Sequence, residues 1–141
     1  MTEKKYNKIV LLSAWYDLLV TAPFAVPFTA KLSIENLTKL HTLFNFDGSI
    51  PSFEPLHYFF INLMGSIVVV WSVLRIKHTT PLYGLYDTCG RAAFSLWMIY
   101  YLGAYNVTSV VMFVLTPEMI WGLIQGWGYY QYKQYQSVKG N

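Results

Sequence analysis

The sequence predicts an all-α, polytopic membrane protein, a bundle of four transmembrane helices with both termini in the cytoplasm. Three observations predict it. Of the 141 residues, 55% are hydrophobic and only 12% are charged, which is too apolar for an ordinary soluble domain. Four apolar segments are each long enough to cross a ~30 Å hydrocarbon core. Basic residues also concentrate on one side of the predicted membrane. We expect residues 1–141 to form a single membrane domain.

The first predicted helix covers residues 9–30, behind a short basic arm. The apolar run is longer than the core of a secretory signal peptide, so we expect it to be retained. Ser13 and Asp17 are spaced four residues apart and form a polar stripe along it. Pro23 and Pro27 remove backbone donors and weaken its outer half.

The outer loop is predicted over residues 31–55, and its first half has helical spacing. Ile34, Leu37 and Leu40 lie on one face of a predicted amphipathic helix over residues 33–46. Such a helix would lie on the membrane surface. Two interpretations stay open: a cap over the outer mouth of the bundle, and a plain surface connector.

The second and third predicted helices cover residues 56–74 and 81–102, and the third is the one on which the prediction depends. Asp87 and Arg91 lie inside its apolar segment, on one face of a helix. On insertion scales each charge costs about 2.5 to 3.5 kcal/mol at a helix centre. Neighbouring helices must therefore supply partners, and Asn62 gives the second helix a polar group on a face suited to close packing.

The fourth predicted helix covers residues 105–127, with Glu118 directly after Pro117. Gly122 and Gly126 share a stripe with Glu118 and form a GxxxG motif, which is typical of helix contacts in membranes. The stripe should therefore face protein. We keep a second copy of the chain or a partner membrane protein as candidates for that contact.

Counting basic residues gives the orientation. With a cytoplasmic amino terminus, two lysines lie outside and seven basic residues inside: Lys31 and Lys39 against Lys4, Lys5, Lys8, Arg75, Lys77, Lys133 and Lys139. This asymmetry follows the positive-inside rule. We expect an integral protein of a bacterial inner membrane, or of the endoplasmic reticulum in a eukaryote. Because topology explains the net charge of +3, no nucleic-acid partner is predicted.

The four charges within the predicted helices should meet. At ~1.5 Å per residue, Asp17, Asp87, Arg91 and Glu118 lie roughly 9 to 15 Å from the cytoplasmic ends. Ionisable groups in membranes face the bundle interior and pair. Three acids with one arginine leave two negative charges, so we expect one carboxyl to be neutral or to meet a cation from outside.

These charges define the predicted site. Asp17 and Glu118 are the candidate catalytic or ligand-contacting acids. Asp87 should orient Arg91, and the wider ligand-binding set is Asp87, Arg91, Tyr16, Asn62, Trp97 and Trp121. A neutral carboxyl could donate a proton, and an ionised one could hold a positive charge.

Other kinds of site are not indicated. The three histidines lack the spacing of metal ligands, so no metal is predicted. No phosphate loop, nucleophile motif or dinucleotide fingerprint is present, and no cofactor is predicted.

Three functions stay open, beside a purely structural role for the charges. The leading hypothesis is a pocket for a membrane lipid, an amphiphile or another hydrophobic small molecule, with or without acid–base, isomerase-like chemistry. The first alternative is a non-enzymatic accessory or assembly subunit of a membrane complex. The second is a proton- or cation-coupled small transporter that acts as an oligomer. Whether the chain is an enzyme is left open.

The order of the features also resembles a known family. The signals are a proline and aromatic stretch before the second helix, a Thr-Pro and Tyr start of the third, and a tyrosine and lysine tail: Pro51, Phe53, Pro55, His57, Tyr58, Phe59, then Thr80, Pro81, Tyr83, then Tyr129, Tyr130, Tyr132, Lys133. This layout is similar to that of the EXPERA family of four-helix membrane proteins. The resemblance implies a lipid-facing pocket whose acidic residues bind amine-bearing or sterol-like molecules. Where that family has an acid in helix two, this chain has Asn62.

Overall fold

The computed structural model describes residues 1–139, which are helical and contain no β-strand. The all-α prediction is therefore confirmed. Five α-helices are connected by two 3₁₀ segments and short loops: α1 Glu3–Thr21, 3₁₀ Ala22–Ala25, α2 Pro27–Phe44, α3 Pro55–Lys77, α4 Pro81–Ala104, 3₁₀ Ser109–Val111 and α5 Met112–Lys139.

Four of the helices, α1, α3, α4 and α5, form the bundle, and consecutive members run antiparallel. Ser13 near the middle of α1 meets Arg75 near the end of α3 and Gln125 at the middle of α5. The Met1 ammonium donates to the Gln131 carbonyl at 2.9 Å, which places the start of α1 beside the end of α5. We call this the terminal end of the bundle, and the opposite end, where α2 packs, the capped end.

Proline starts three of the helices. Pro27, Pro55 and Pro81 each occupy the first turn of their helix, where the missing N–H is no loss. At α4 the Thr80 hydroxyl also accepts a hydrogen bond from the Tyr83 N–H at 3.4 Å, so one of the free backbone donors is satisfied.

The first predicted helix, over residues 9–30, is divided in the structure. Pro23 cannot donate to the carbonyl one turn earlier, and the chain leaves the α-helix at Thr21. Val26, before Pro27, has the extended backbone that a following proline favours (φ −119°, ψ 132°). The prolines therefore end the first helix instead of only weakening it. Residues 27–30 begin α2, and the predicted outer loop 31–55 is helical up to Phe44.

The other helices also differ in length from the predictions. α3 continues to Lys77, three residues past the predicted end at 74. α5 contains 28 residues and runs to Lys139, beyond the predicted end at 127. At 1.5 Å per residue it is about 42 Å long, which exceeds the ~30 Å hydrocarbon thickness.

The interior of the bundle is polar and its surface is apolar. The buried apolar side chains are few, namely Tyr6, Val10, Ala14, Ala30, Val110 and Leu115; the buried polar ones are Ser13, Asp17, Ser72, Arg75, Asp87, Arg91, Thr108 and Gln125. Outside, Leu19 is 72% exposed, Ile67 69% and Leu123 71%. This distribution reverses that of a soluble protein and is typical of a bundle surrounded by lipid.

Three helical segments are long and apolar enough to cross a membrane: Glu3–Ala25, Pro55–Lys77 and Ser109–Lys139. The membrane localisation predicted from composition agrees with these segments. The fourth long helix, α4, has 24 residues and carries the two charges that lower its hydropathy.

At the capped end, the loop after α2 is hydrogen-bonded to the loop before α5. Ser49 and Val107 form a parallel β-bridge, and the His41 Nδ1 lies 2.7 Å from the Thr108 hydroxyl. Gly48 permits this contact, because it has φ +88° and a Cβ there would lie 2.5 Å from the Val107 carbonyl oxygen. The two loops are thus fixed to each other across the end of the bundle.

Candidate functional site

The three predicted acids and Arg91 meet inside the bundle. Arg91 Nη2 lies 2.6 Å from Asp17 Oδ2, its Nε 3.0 Å from Asp87 Oδ2, and its Nη1 2.9 Å from Glu118 Oε2. One guanidinium on α4 therefore binds carboxylates from α1, α4 and α5. The expected convergence of these charges is present.

A second guanidinium, which the sequence analysis placed on the cytoplasmic side, belongs to the same group. Arg75 is fully buried, with its Nη2 2.5 Å from Asp17 Oδ2 and its Nη1 2.6 Å from Asp87 Oδ2. We call Asp17, Arg75, Asp87, Arg91 and Glu118 the charge cluster. With three carboxylates and two guanidiniums, its formal charge is −1, so the expected surplus of two negative charges is wrong.

The position of Arg75 has a simple geometric cause. In an α-helix each Cα–Cβ bond tilts toward the helix amino terminus, so a long side chain in the last turn reaches back along the helix. Arg75 lies two residues before the end of α3, and its guanidinium enters the bundle instead of the solvent. Counting charges along the sequence could not distinguish these directions.

Neutral side chains complete the network. Trp71 Nε1–H donates to Asp87 Oδ1 at 2.9 Å. The fully buried Gln125 accepts from Arg91 Nε at 3.2 Å and donates to the Ser13 hydroxyl at 2.5 Å. Sequence reasoning missed Gln125, although it lies three residues after Gly122 on the stripe that contains Glu118, and that spacing was the available signal.

The three carboxylates are held very unequally. Asp87 accepts a hydrogen bond from Trp71 at Oδ1 and one from Arg91 Nε at Oδ2. Its Oδ2 is also ion-paired with Arg75 Nη1. Asp17 Oδ2 is shared by both guanidiniums. Glu118 has one donor, Arg91 at Oε2, and within residues 1–139 its Oε1 makes no hydrogen bond. The Glu118 side chain is 16% exposed, against 9% for Asp17 and 7% for Asp87.

Two of the predicted aromatic residues border Glu118. Trp121 lies three residues further along α5, on the same face. Its ring centroid is 6.0 Å from that of Tyr16, the neighbour of Asp17 on α1, and both residues are half-buried. An aromatic pair formed by α1 and α5 therefore lies near Glu118.

The other two predicted ligand-binding residues lie away from the charges. Asn62 donates to the Phe24 carbonyl at 2.9 Å and fixes the 3₁₀ segment to α3. It is thirteen residues before Arg75, about 20 Å along the helix. Trp97 is 58% exposed and packs on Tyr100. The hydrogen bonds and ion pairs of the charge cluster include neither residue.

The predicted glycine stripe on α5 faces α4 of the same chain. A Cβ at Gly122 would lie 3.5 Å from the Arg91 Cβ, and one at Gly126 would lie 3.2 Å from the Thr88 Cγ2. The close approach that the GxxxG motif provides is thus used between α4 and α5. It lets Arg91 reach Glu118 across a short distance.

Comparison with known proteins adds nothing to this description: no protein-family model, curated protein or solved structure matches the chain. The resemblance to the EXPERA family therefore stays a prediction. Within residues 1–139, no three histidine, cysteine or acidic side chains are placed to hold a metal ion.

Proposed function

We propose that the chain is an integral membrane protein whose charge cluster forms the polar wall of a pocket for an amphiphilic or lipid-like ligand. Glu118 is the group that contacts the ligand. The observation that carries the proposal is the contrast within the cluster: Asp87 is saturated with donors, whereas Glu118 Oε1 has none within residues 1–139 and its side chain is 16% exposed.

The proposal includes four transmembrane helices with cytoplasmic termini. α4 has 24 residues, about 36 Å, and its two charges are buried against α1, α3 and α5 instead of facing lipid. Apolar side chains such as Leu96 and Ile99, 62% and 50% exposed, cover its outer surface. The buried partners thus remove the main objection to α4 as a span.

The orientation rests on the lysines that remain at the two ends. With Arg75 in the charge cluster, six lysines lie at the terminal end and two at the capped end. This asymmetry supports a cytoplasmic terminal end in a bacterial inner membrane, or in the endoplasmic reticulum of a eukaryote.

The residual charge indicates which ligand head would fit. The cluster has a formal charge of −1, and an uncompensated charge in a weakly hydrated place is costly. A head group that is cationic or donates a hydrogen bond would supply the partner that Glu118 Oε1 lacks. Tyr16 and Trp121 would contact the adjoining part of the ligand, since aromatic faces accept both cations and apolar groups.

The same position suits acid–base chemistry. A carboxyl that is held by one donor and reaches an accessible surface can exchange a proton with a bound molecule at hydrogen-bonding distance. Glu118 is the proposed proton-transfer group. Asp17 is the second candidate contact, because only its Oδ2 is engaged by the guanidiniums. Asp87 and Arg75 would position Arg91 and take no part in contact with the ligand.

The saturated side of the cluster favours a second candidate, a non-enzymatic accessory subunit in which the charges only hold helices together. Two guanidiniums that join four helices would serve that purpose without any ligand. The two candidates differ in what they predict for Glu118. A purely structural network does not need an acid with a free, accessible oxygen.

Native mass spectrometry of gently extracted protein separates them. We expect a copurified amphiphile on the unmodified protein and at least a tenfold lower occupancy on Glu118→Gln and Asp17→Asn, with helical content unchanged by circular dichroism. Glu35→Gln, an exposed acid on α2, is the matched control and should keep the ligand. A ligand retained by both site variants would refute the pocket, and an unmodified protein without any bound amphiphile would favour the accessory subunit.

A further inference from the structure

Two polar groups on α3 are enclosed by protein and have no hydrogen-bond partner among residues 1–139. They are the Ser72 hydroxyl and the Arg75 Nε–H, and both residues are fully buried. A buried donor without a partner is costly, so such groups in folded proteins are paired with other protein groups or with ordered water. The two donors therefore need an acceptor that the described side chains do not supply.

The packing of α1 on α3 places Ser72 and Arg75 beside Asp17. A Cβ at Gly65 would lie 2.5 Å from the Phe24 carbonyl carbon, so Gly65 faces the 3₁₀ segment that follows α1. Ser72 lies seven residues further along α3, on the same face. Because the two helices run antiparallel, seven residues lead back from the level of Phe24 to that of Asp17. Arg75 meets this level directly, with its Nη2 2.5 Å from Asp17 Oδ2.

The shape of the guanidinium directs the free Arg75 N–H to the same side. Nε–H and Nη2–H lie on one edge of the planar group and point in the same direction. Since Nη2 bonds to Asp17 Oδ2, the Nε–H also points toward α1. Asp17 Oδ1 makes no hydrogen bond within residues 1–139, and the side chain is 9% exposed, so a water-sized sphere reaches it. Two donors and one acceptor thus converge between α1 and α3.

We infer that a water molecule is bound between α1 and α3 by the Ser72 hydroxyl, Arg75 Nε–H and Asp17 Oδ1. Water accepts from the first two groups and donates to the carboxylate, which gives it three partners. The formal charge of −1 on the charge cluster disfavours an anion at this place. Arg75 presents a donor and a positive charge, which disfavours a cation. The enclosure of Ser72 and Arg75 excludes a larger ligand.

The water completes the hydrogen bonding of Arg75 and links α1 to α3 at the level of the charge cluster. It also gives Asp17 a partner on the oxygen that the guanidiniums leave free. A carboxylate oxygen has two lone pairs, so the water is compatible with the ligand contact proposed for Asp17. The inference does not depend on Glu118 and holds or fails independently of the proposed pocket.

The two arginines of the chain provide a matched comparison by nuclear magnetic resonance. With isotope-labelled arginine in the full chain in bilayers, each arginine gives one Nε–H signal. Arg91 Nε–H donates to Asp87 and Gln125, whereas Arg75 Nε–H donates to the water. We expect magnetisation to pass from water to Arg75 Nε–H severalfold faster than to Arg91 Nε–H. Transfer to Arg75 that is no faster than transfer to Arg91 would overturn the inference.

A second measurement gives the sign of the contribution of the Ser72 hydroxyl to stability. We expect Ser72→Ala to lower the thermal unfolding midpoint by about 2 to 6 °C, because a buried hydrogen bond to the water is lost. An unpaired buried hydroxyl is destabilising, so its removal would raise the midpoint instead. Ser66→Ala changes an exposed serine of the same helix and should shift the midpoint by less than about 1 °C. A midpoint that rises or stays unchanged in Ser72→Ala would contradict the bound water.

Discussion

Both sides of the charge cluster pair a carboxylate with guanidinium groups, but they differ in how many of the carboxylate oxygens have a donor. Around Asp87, donors from α3 and α4 occupy both carboxylate oxygens. Around Glu118, one guanidinium nitrogen binds one oxygen, and the side chain stays 16% exposed near the Tyr16–Trp121 ring pair. A buried ionic network built only for cohesion would be completed on both sides. Under the proposed function, the Asp87 side holds the bundle together and the Glu118 side is the one that contacts a ligand.

The largest effect should come from removing charge on the saturated side. We expect Asp87→Asn to lower the free energy of unfolding by about 3 to 5 kcal/mol, because it breaks two buried ion pairs, with Arg75 and with Arg91, at once. Whichever way the asparagine amide turns, it presents its NH₂ either to Trp71 Nε1–H or to the guanidiniums. Thermal or denaturant unfolding in detergent gives the difference, and a loss below 1 kcal/mol would contradict the assigned role.

The two sides also differ in how closely neighbouring atoms approach the helix backbone, and the expected effect on stability is smaller. On the Asp87 side, a Cβ at Gly84 would collide with the Tyr6 hydroxyl and lie 2.5 Å from Val10 Cγ2, so Gly84→Ala should cost about 1 to 3 kcal/mol through overpacking. On the Glu118 side, Gly122→Ala places a Cβ at an ordinary 3.5 Å from the Arg91 Cβ and should be nearly neutral. Unfolding midpoints of the pair test this. Equal destabilisation would mean that both faces are packed alike.

Much of this architecture follows from the sequence, and what does not has identifiable causes. Apolar length and charge spacing predict the all-α chain and the meeting of Asp17, Arg91 and Glu118. They do not predict which way a side chain at a helix end points, and Arg75 was therefore assigned to the wrong environment. Pro23 and Pro27 each allow a kink or a break in the helix, and only the packing of the 3₁₀ segment on α3 decides between them.

The same limit applies to the site. The prediction of Asn62 and Trp97 as site residues depends on estimated depth and helix face, and neither fixes which side chains meet across a bundle. Asn62 lies about 20 Å along α3 from Arg75, and Trp97 faces outward. Tyr16 and Trp121 lie beside the cluster because they are the chain neighbour of Asp17 and the i+3 neighbour of Glu118. Spacing along one helix therefore predicts which residues lie beside a charged group, whereas it does not predict contacts between helices that are distant in the sequence.

A single hydrogen bond provides a finer comparison. Trp71→Phe keeps a ring of similar position and removes the donor to Asp87 Oδ1, so we expect a loss of about 1 to 2 kcal/mol. Tyr16→Phe removes a hydroxyl on the Glu118 side that makes no hydrogen bond within residues 1–139, and it should change stability by less than about 0.5 kcal/mol. Unfolding of the two variants under identical detergent conditions measures both. A larger loss for Tyr16→Phe than for Trp71→Phe would mean that the Glu118 side, and not the Asp87 side, is the structural one.

The smallest effect on stability is expected at the proposed contact itself. Glu118→Gln keeps an acceptor for Arg91 and brings the formal charge of the cluster to zero, so the free energy of unfolding should change by less than about 1 kcal/mol. Unfolding measurements on this variant beside Asp87→Asn provide an isosteric pair. A loss as large as that of Asp87→Asn would assign Glu118 to the structural network.

The most direct test of this division is chemical. A protonated carboxyl group that a hydrophobic carbodiimide can reach from lipid adds through its oxygen across a C=N bond and gives its proton to the nitrogen. The acyl group of this O-acylisourea then migrates from oxygen to nitrogen, and the stable N-acylurea can be located by peptide mass spectrometry. We predict that Glu118 is labelled before Asp87 as the pH is lowered, because protonation breaks one ion pair at Glu118 and two at Asp87, and that Glu118→Gln abolishes this adduct. Labelling of Asp87 as readily as Glu118, or no labelling of Glu118 in folded protein, would contradict the claim that the cluster is open on one side and closed on the other.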